Sequence, residues 1–139
     1  MPVREGDARV APMRVLIVED TEERQAVLTA LYRAHAWVLV HTGRRAITLL
    51  HAFCFDIISL DYHLRGELNG GDVARAIAQS RNSDARVIIH SMNRRGAEEV
   101  ARLLPAAIRF PVSRMIRSNG AFKALRANID AFGAAYEWR

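Results

Sequence analysis

Five short apolar runs, each followed by a stretch with helical spacing, constrain this chain more than any other feature. RVLIV (14–18), WVLV (37–40), DIISL (56–60), VIIHS (87–91) and AAIRF (106–110) read as strands. Runs of this length, rich in branched residues, are too short for buried helices. Between them TEERQAVLTALYRAH (21–35) sets Val27, Leu28 and Leu31 on one side, and RRAITLLHAF (44–53) is entered through Gly43. GDVARAIAQS (71–80) turns Val73, Ala74 and Ile77 inward, and GAEEVARLL (96–104) stops before Pro105. AFKALRANIDAF (121–132) closes the series with Phe122, Leu125, Ile129 and Phe132 on one stripe. Strand–helix units of this length predict an α/β fold with a parallel sheet covered on both faces by right-handed crossovers.

At 139 residues the chain is one domain's worth. Residues 1–13 read as a loose leader, 14–132 as the folded domain and 133–139 as a short tail. No apolar run reaches the ~20 residues of a membrane span, and the N-terminus lacks a signal-peptide core. Cys54 is the only cysteine and sits in the apolar AFCFDII, so a buried free thiol in a cytoplasmic protein is expected. The net charge of +5 invites a nucleic-acid partner. Nearly all of that charge is arginine, Lys123 being the only lysine, and it is spread along the chain without interleaved aromatics. A solvated arginine-rich surface is the expectation.

In open parallel sheets ligands bind outside the carboxyl ends of the strands. Here those ends carry Glu19-Asp20, Asp61, His90-Ser91 and Phe110-Pro111. Three carboxylates at one edge repel unless a cation neutralises them. Carboxylates with water and phosphate are the ligands that Mg²⁺ accepts. Asp61 so placed can ligate the metal or attack a phosphoryl group, and the Ser91 hydroxyl can donate to a phosphoryl oxygen. The plainer alternative is that Glu19 and Asp20 cap the first helix.

RVLIVEDTEERQAVLTALY and FDIISLDYHLRG resemble the acidic-pair and phosphoacceptor segments of response-regulator receiver domains, over about residues 14–132. The resemblance implies a flavodoxin-like, doubly wound five-stranded sheet in the order 2-1-3-4-5. It implies Mg²⁺ held by Glu19, Asp20, Asp61 and the backbone carbonyl of His63, with Asp61 as phosphoacceptor and Ser91 as the hydroxyl residue. Its partners would be a histidine kinase or phosphotransfer protein and a downstream protein. Arg102, Arg109, Arg114, Arg117 and Phe122 lie on the segments that receivers often present to such partners. Phe110 departs from the pattern by standing where receivers carry a lysine, and period-2 alternation turns Arg109 to the other face.

The segment HSMNRRG (90–96) is instead similar to the HSxNxxG signature of receiver-like domains assigned to cyclic-phosphate processing. That resemblance implies phosphate contacts from Asn93 and the amides near Gly96. It also implies an acid–base role for a histidine, with His90 and His63 both at the acidic edge. An RNA end bearing a cyclic phosphate is the one nucleic acid it admits, and the enzyme, if there is one, is a cyclic phosphodiesterase-like hydrolase. Other roles stay open: His90 as a packing residue on the sheet face, Asn93 as a helix cap, and the whole as a degenerate receiver acting by constitutive contact, with homodimerisation open too. His35, His41 and His51 read as surface or packing residues.

Overall fold

The computed structural model describes residues 12–136, with side chains through 132. The strands are β1 (Arg14–Val18), β2 (Ala36–Val40), β3 (Ile57–Leu60), β4 (Arg86–Ile89) and β5 (Ile108–Arg109). All pair in parallel, in the order β2-β1-β3-β4-β5. This is the expected doubly wound arrangement. The helices are α1 (Glu22–Leu31), α2 (Gly43–Ala52), α3 (Gly70–Ala78), α4 (Arg94–Leu103), α5 (Val112–Arg117) and α6 (Asn119–Tyr136).

The pleat divides the core in two. Leu16 and Val18 of β1, Ile58 and Leu60 of β3 and Val87 and Ile89 of β4 are buried together with Ala46, Val73, Ile77, Ala97 and Val100 of α2, α3 and α4. Their neighbours Val15, Ile17, Ile57 and Ile88 face the other way, onto Leu28, Leu31, Met115, Leu125 and Ile129 of α1, α5 and α6. Each fully buried Leu or Ile contributes roughly 1.5–3 kcal/mol, so both layers are needed for stability. The same alternation, carried past the strand ends, decides which polar side chains meet.

At several points the structure changes or sharpens the local expectations. Cys54 is exposed rather than buried, because the chain leaves α2 at Phe53 and the short connection to β3 sends Phe55, not Cys54, onto the first core layer. His35 is buried and partnered: Nδ1 accepts from the Met13 amide at 3.1 Å and Nε2 meets Asp130 Oδ1 at 2.7 Å. That bond ties the start of β1 to α6. Met13 itself is buried within the second layer, so the packed chain begins before Arg14; the rest of the leader, residues 1–11, lies outside the described residues. The short α5 lies between β5 and α6, in a stretch to which the sequence pattern assigns no element. Val112 and Met115, three apart, face the core and hold it. Toward the C-terminus α6 continues into the segment read as a tail, of which residues 137–139 lie outside the described residues. No helix among the described residues is long and apolar enough to cross a membrane.

Candidate functional site: a buried acid–imidazole cluster

At the carboxyl edge of the sheet, Glu19, Asp61 and His90 are all buried. One ligand atom from each lies within 4.8 Å of the others. The register explains the meeting: Val18 pairs with Leu60 and Leu60 with Ile89, so the next residues, Glu19, Asp61 and His90, come level on one face. His90 Nε2 bonds Glu19 Oε1 at 2.8 Å, and Nδ1 meets Ser59 Oγ at 2.9 Å. Glu19 Oε2 accepts from the Thr21 amide at 3.0 Å. Burial works to raise the Glu19 carboxyl but is outweighed by the bond to His90, its charge, the Thr21 amide and Arg24, so the group lies below the usual range.

Asp61 is different. Its Oδ1 accepts from the Tyr62 amide at 2.8 Å, while buried Oδ2 has no hydrogen-bond partner. Arg24 Nη1 comes to 3.6 Å from that oxygen and 4.0 Å from Glu19 Oε2. The guanidinium is about a third exposed, which weakens its hold through solvent screening. Burial, then the Glu19 charge, push the Asp61 carboxyl above its ordinary value. A buried carboxylate oxygen left open beside a second carboxylate is a donor set that a divalent cation can take.

The other sequence-designated residues stand around this cluster. Asp20 does not join it; its side chain takes a 3.4 Å contact from Thr21 Oγ1, and its carbonyl accepts from Arg65. Ser91 points to the opposite side from His90 and accepts from the Asn93 amide at 3.0 Å. Asn93 is the N-cap of α4, its Oδ1 accepting from the Gly96 amide at 2.7 Å. That bond fixes the amide's orientation, so Nδ2 donates to Nε2 of His63. The exposed His63 ring therefore carries its proton on Nδ1 and stands two residues past Asp61, beside the start of α4 and the Tyr62 ring. Phe110 packs against the second core layer beneath the Arg114 guanidinium, 4.5 Å from its ring centroid.

Ser59, Arg24 and Tyr62 are the site residues that sequence reasoning missed. Ser59 had a signal, being the one polar residue within IISL and two before Asp61, hence on the same face. Tyr62 shows itself only in space: its ring lies where a Cβ on Gly96 would fall, 2.2 Å away, and its hydroxyl donates to Glu99 at 3.2 Å. Gly70 is equally constrained, since a Cβ there would stand 2.3 Å from the Asp61 carbonyl oxygen. Both clashing groups at Gly70 are backbone, so Gly70→Ala is expected to destabilise the fold by roughly 1–3 kcal/mol. A guanidinium unfolding midpoint unchanged from wild type would contradict that placement.

Fold and pocket together define a receiver domain. The chain belongs to the family of cyclic-phosphate processing receiver domains, which matches residues 7–106. None of the curated proteins matches it. Among solved structures, the phosphorylated cyanobacterial phytochrome response regulator RcpA is similar with a TM-score of 0.67 and 18% identity, over 84% of this chain and 91% of that one. The Mn²⁺-bound response regulator Rcp1 gives 0.65 and 19%, over 84% and 91%. The receiver domain of a sensor histidine kinase from Pseudomonas aeruginosa PAO1, with magnesium coordinated in its active-site cleft, gives 0.62 and 21%, over 84% and 99%.

Proposed function

We propose that this domain binds a divalent cation through Glu19 and Asp61, with His90 holding Glu19 in place, and uses the pocket to bind and open cyclic phosphates. The observation that carries the reading is the buried, unpartnered Asp61 Oδ2 within a cluster of three ligand atoms. Carboxylate oxygens suit Mg²⁺ or Mn²⁺. When bound, such a cation polarises phosphoryl oxygens and acidifies water. The chain's residues supply the rest. Glu19 and His90 hold each other in place. His90 has both ring nitrogens engaged and is a positioning residue. As water adds to phosphorus and the P–O bond breaks, the proton that the water gives up passes to the released ribose oxygen, and His63, exposed and oriented by Asn93, offers its Nδ1–H as a hydrogen-bond donor to that oxygen. Family membership supports the substrate class.

In the presence of Mg²⁺ or Mn²⁺, hydrolysis of adenosine 2′,3′-cyclic monophosphate followed by ³¹P NMR tests the reading. His63→Ala is expected to lose about 100-fold or more in turnover, while the thermal shift on adding Mg²⁺ stays as in wild type. Wild-type protein that neither binds nor opens the cyclic nucleotide at millimolar concentration rules the reading out.

A second reading makes Asp61 the phosphoacceptor of a kinase-driven relay, and the same open Oδ2 favours it. Phe110 leaves it without the lysine that receivers use, and Arg24 is then the cation nearest the phosphoryl group. Mg²⁺-dependent labelling by a small phosphodonor, lost in Asp61→Asn, distinguishes it from the first.

A further inference from the structure

Beside the acid cluster, on the other face of β4, lies a cavity of about 320 Å³. Ser91, Arg94, Arg109 and Ser113 line it, with Ala97 and Pro111 as apolar wall. Met92, half exposed, stands at its rim. The alternation that sends His90 to the acids sends Ser91 here, and pairing of Ile89 with Arg109 brings that arginine to the same side. The cavity therefore opens one residue away from the acidic pocket. Arg94 and Arg109 are exposed, and among the described residues neither pairs with a carboxylate. Ser91 is 5% exposed, and among the described residues its hydroxyl proton has no acceptor. Arg94 opens α4, so the positive end of that helix adds to the field.

Two unpaired guanidiniums, a buried hydroxyl with a free proton and a partly exposed one, around a half-open cavity, make a phosphate site. An acidic peptide would favour a flatter surface. We propose that this cavity holds a second, non-cyclic phosphate of the ligand, so that the substrate carries two phosphates rather than one. The inference rests on the cyclic-phosphate reading for what fills the acidic pocket, but the phosphate site itself does not need that pocket. Both a phosphodiester of an oligonucleotide and a terminal phosphomonoester present the same chemistry.

Calorimetric titration of adenosine 5′-monophosphate in EDTA tests the site alone. Wild type and Asp61→Asn are expected to bind within twofold of each other, and Arg94→Ala and Arg109→Ala at least tenfold more weakly. Arg33→Ala, an equal loss of charge in the turn after α1, is expected to leave binding unchanged. No binding by wild type, or undiminished binding by the Arg94→Ala/Arg109→Ala double variant, overturns the proposal. With Mg²⁺ present, a diadenosine ending in a 2′,3′-cyclic phosphate and a 5′-phosphorylated cyclic mononucleotide are then compared with the plain cyclic mononucleotide. A tenfold gain for the first alone identifies an oligonucleotide, and for the second a terminal phosphate. Absence of gain for both refutes the two-phosphate substrate. Failure of cyclic-phosphate binding with intact binding of the 5′-monophosphate overturns only the assignment of the acidic pocket.

Discussion

His90→Ala is expected to lower folding stability by about 3–5 kcal/mol, because it removes one partner of a fully buried pair and leaves the other unpaired. Glu19 would keep only the Thr21 amide and the distant Arg24, and the buried Ser59 hydroxyl would lose its imidazole. The pH dependence carries a sign. Glu19 sits below its ordinary carboxyl value in the folded protein, so its contribution is present above the unfolded value and fades as pH falls through the folded one. The deficit of His90→Ala against wild type should therefore be widest near neutrality and narrow in acid. A second comparison separates broken pairing from lost volume. The double variant Glu19→Leu/His90→Leu replaces the pair by apolar groups and is expected to be more stable than His90→Ala alone, since such replacements are often neutral or better. Guanidinium unfolding of the three proteins at neutral and acid pH reads these differences. A neutral-pH loss below about 1 kcal/mol, the typical worth of one hydrogen bond, would sink the description of this cluster.

The sheet was legible because the pleat writes itself into sequence. Period-2 alternation in RVLIV and VIIH separates the two core layers, and it correctly sets His90 and Ser91 on opposite faces. The acidic edge follows from the same rule with the strand-end principle. What alternation withholds is register between strands. That His90 comes level with Asp61, and so reaches Glu19, depends on Leu60 pairing with Ile89, which neither strand specifies alone. Asp20 and Glu19 are adjacent letters with different fates for this reason: only one of them shares the face of Ser59 and His90. Contacts between a loop and a later helix are still less visible. Gly96 reads as a helix-start residue, yet its lack of a side chain is required by the Tyr62 ring, thirty-four positions away in sequence by subtraction of the residue numbers. Cys54 misleads in the opposite sense, because apolar neighbours on a connecting segment do not bury a residue that no layer covers.

Asp61→Asn should raise the stability of the metal-free protein while abolishing its response to Mg²⁺. Burial and the Glu19 charge hold the Asp61 carboxyl above its ordinary value, so the ionised group opposes folding. That cost is absent below the unfolded carboxyl value and is fully developed above the folded one, which places the gain from asparagine at neutral pH and removes it in acid. Neutral replacements at strained functional positions commonly contribute about 0.5–2 kcal/mol. For a chain of this size that corresponds to a rise in Tm of a few degrees, at roughly 3–4 °C per kcal/mol. The cation works in the other direction. Mg²⁺ at one hundred times its dissociation constant should stabilise wild type by about 2.7 kcal/mol, and the variant, lacking the open Oδ2, by far less. The two melting curves should therefore cross: Asp61→Asn above wild type in EDTA, and below it in saturating Mg²⁺. The crossing matters more than either shift, because a merely structural aspartate would lose stability on substitution and a surface carboxylate would show neither effect. Parallel curves in EDTA and Mg²⁺ would remove Asp61 from the metal site and with it the proposed chemistry of the pocket.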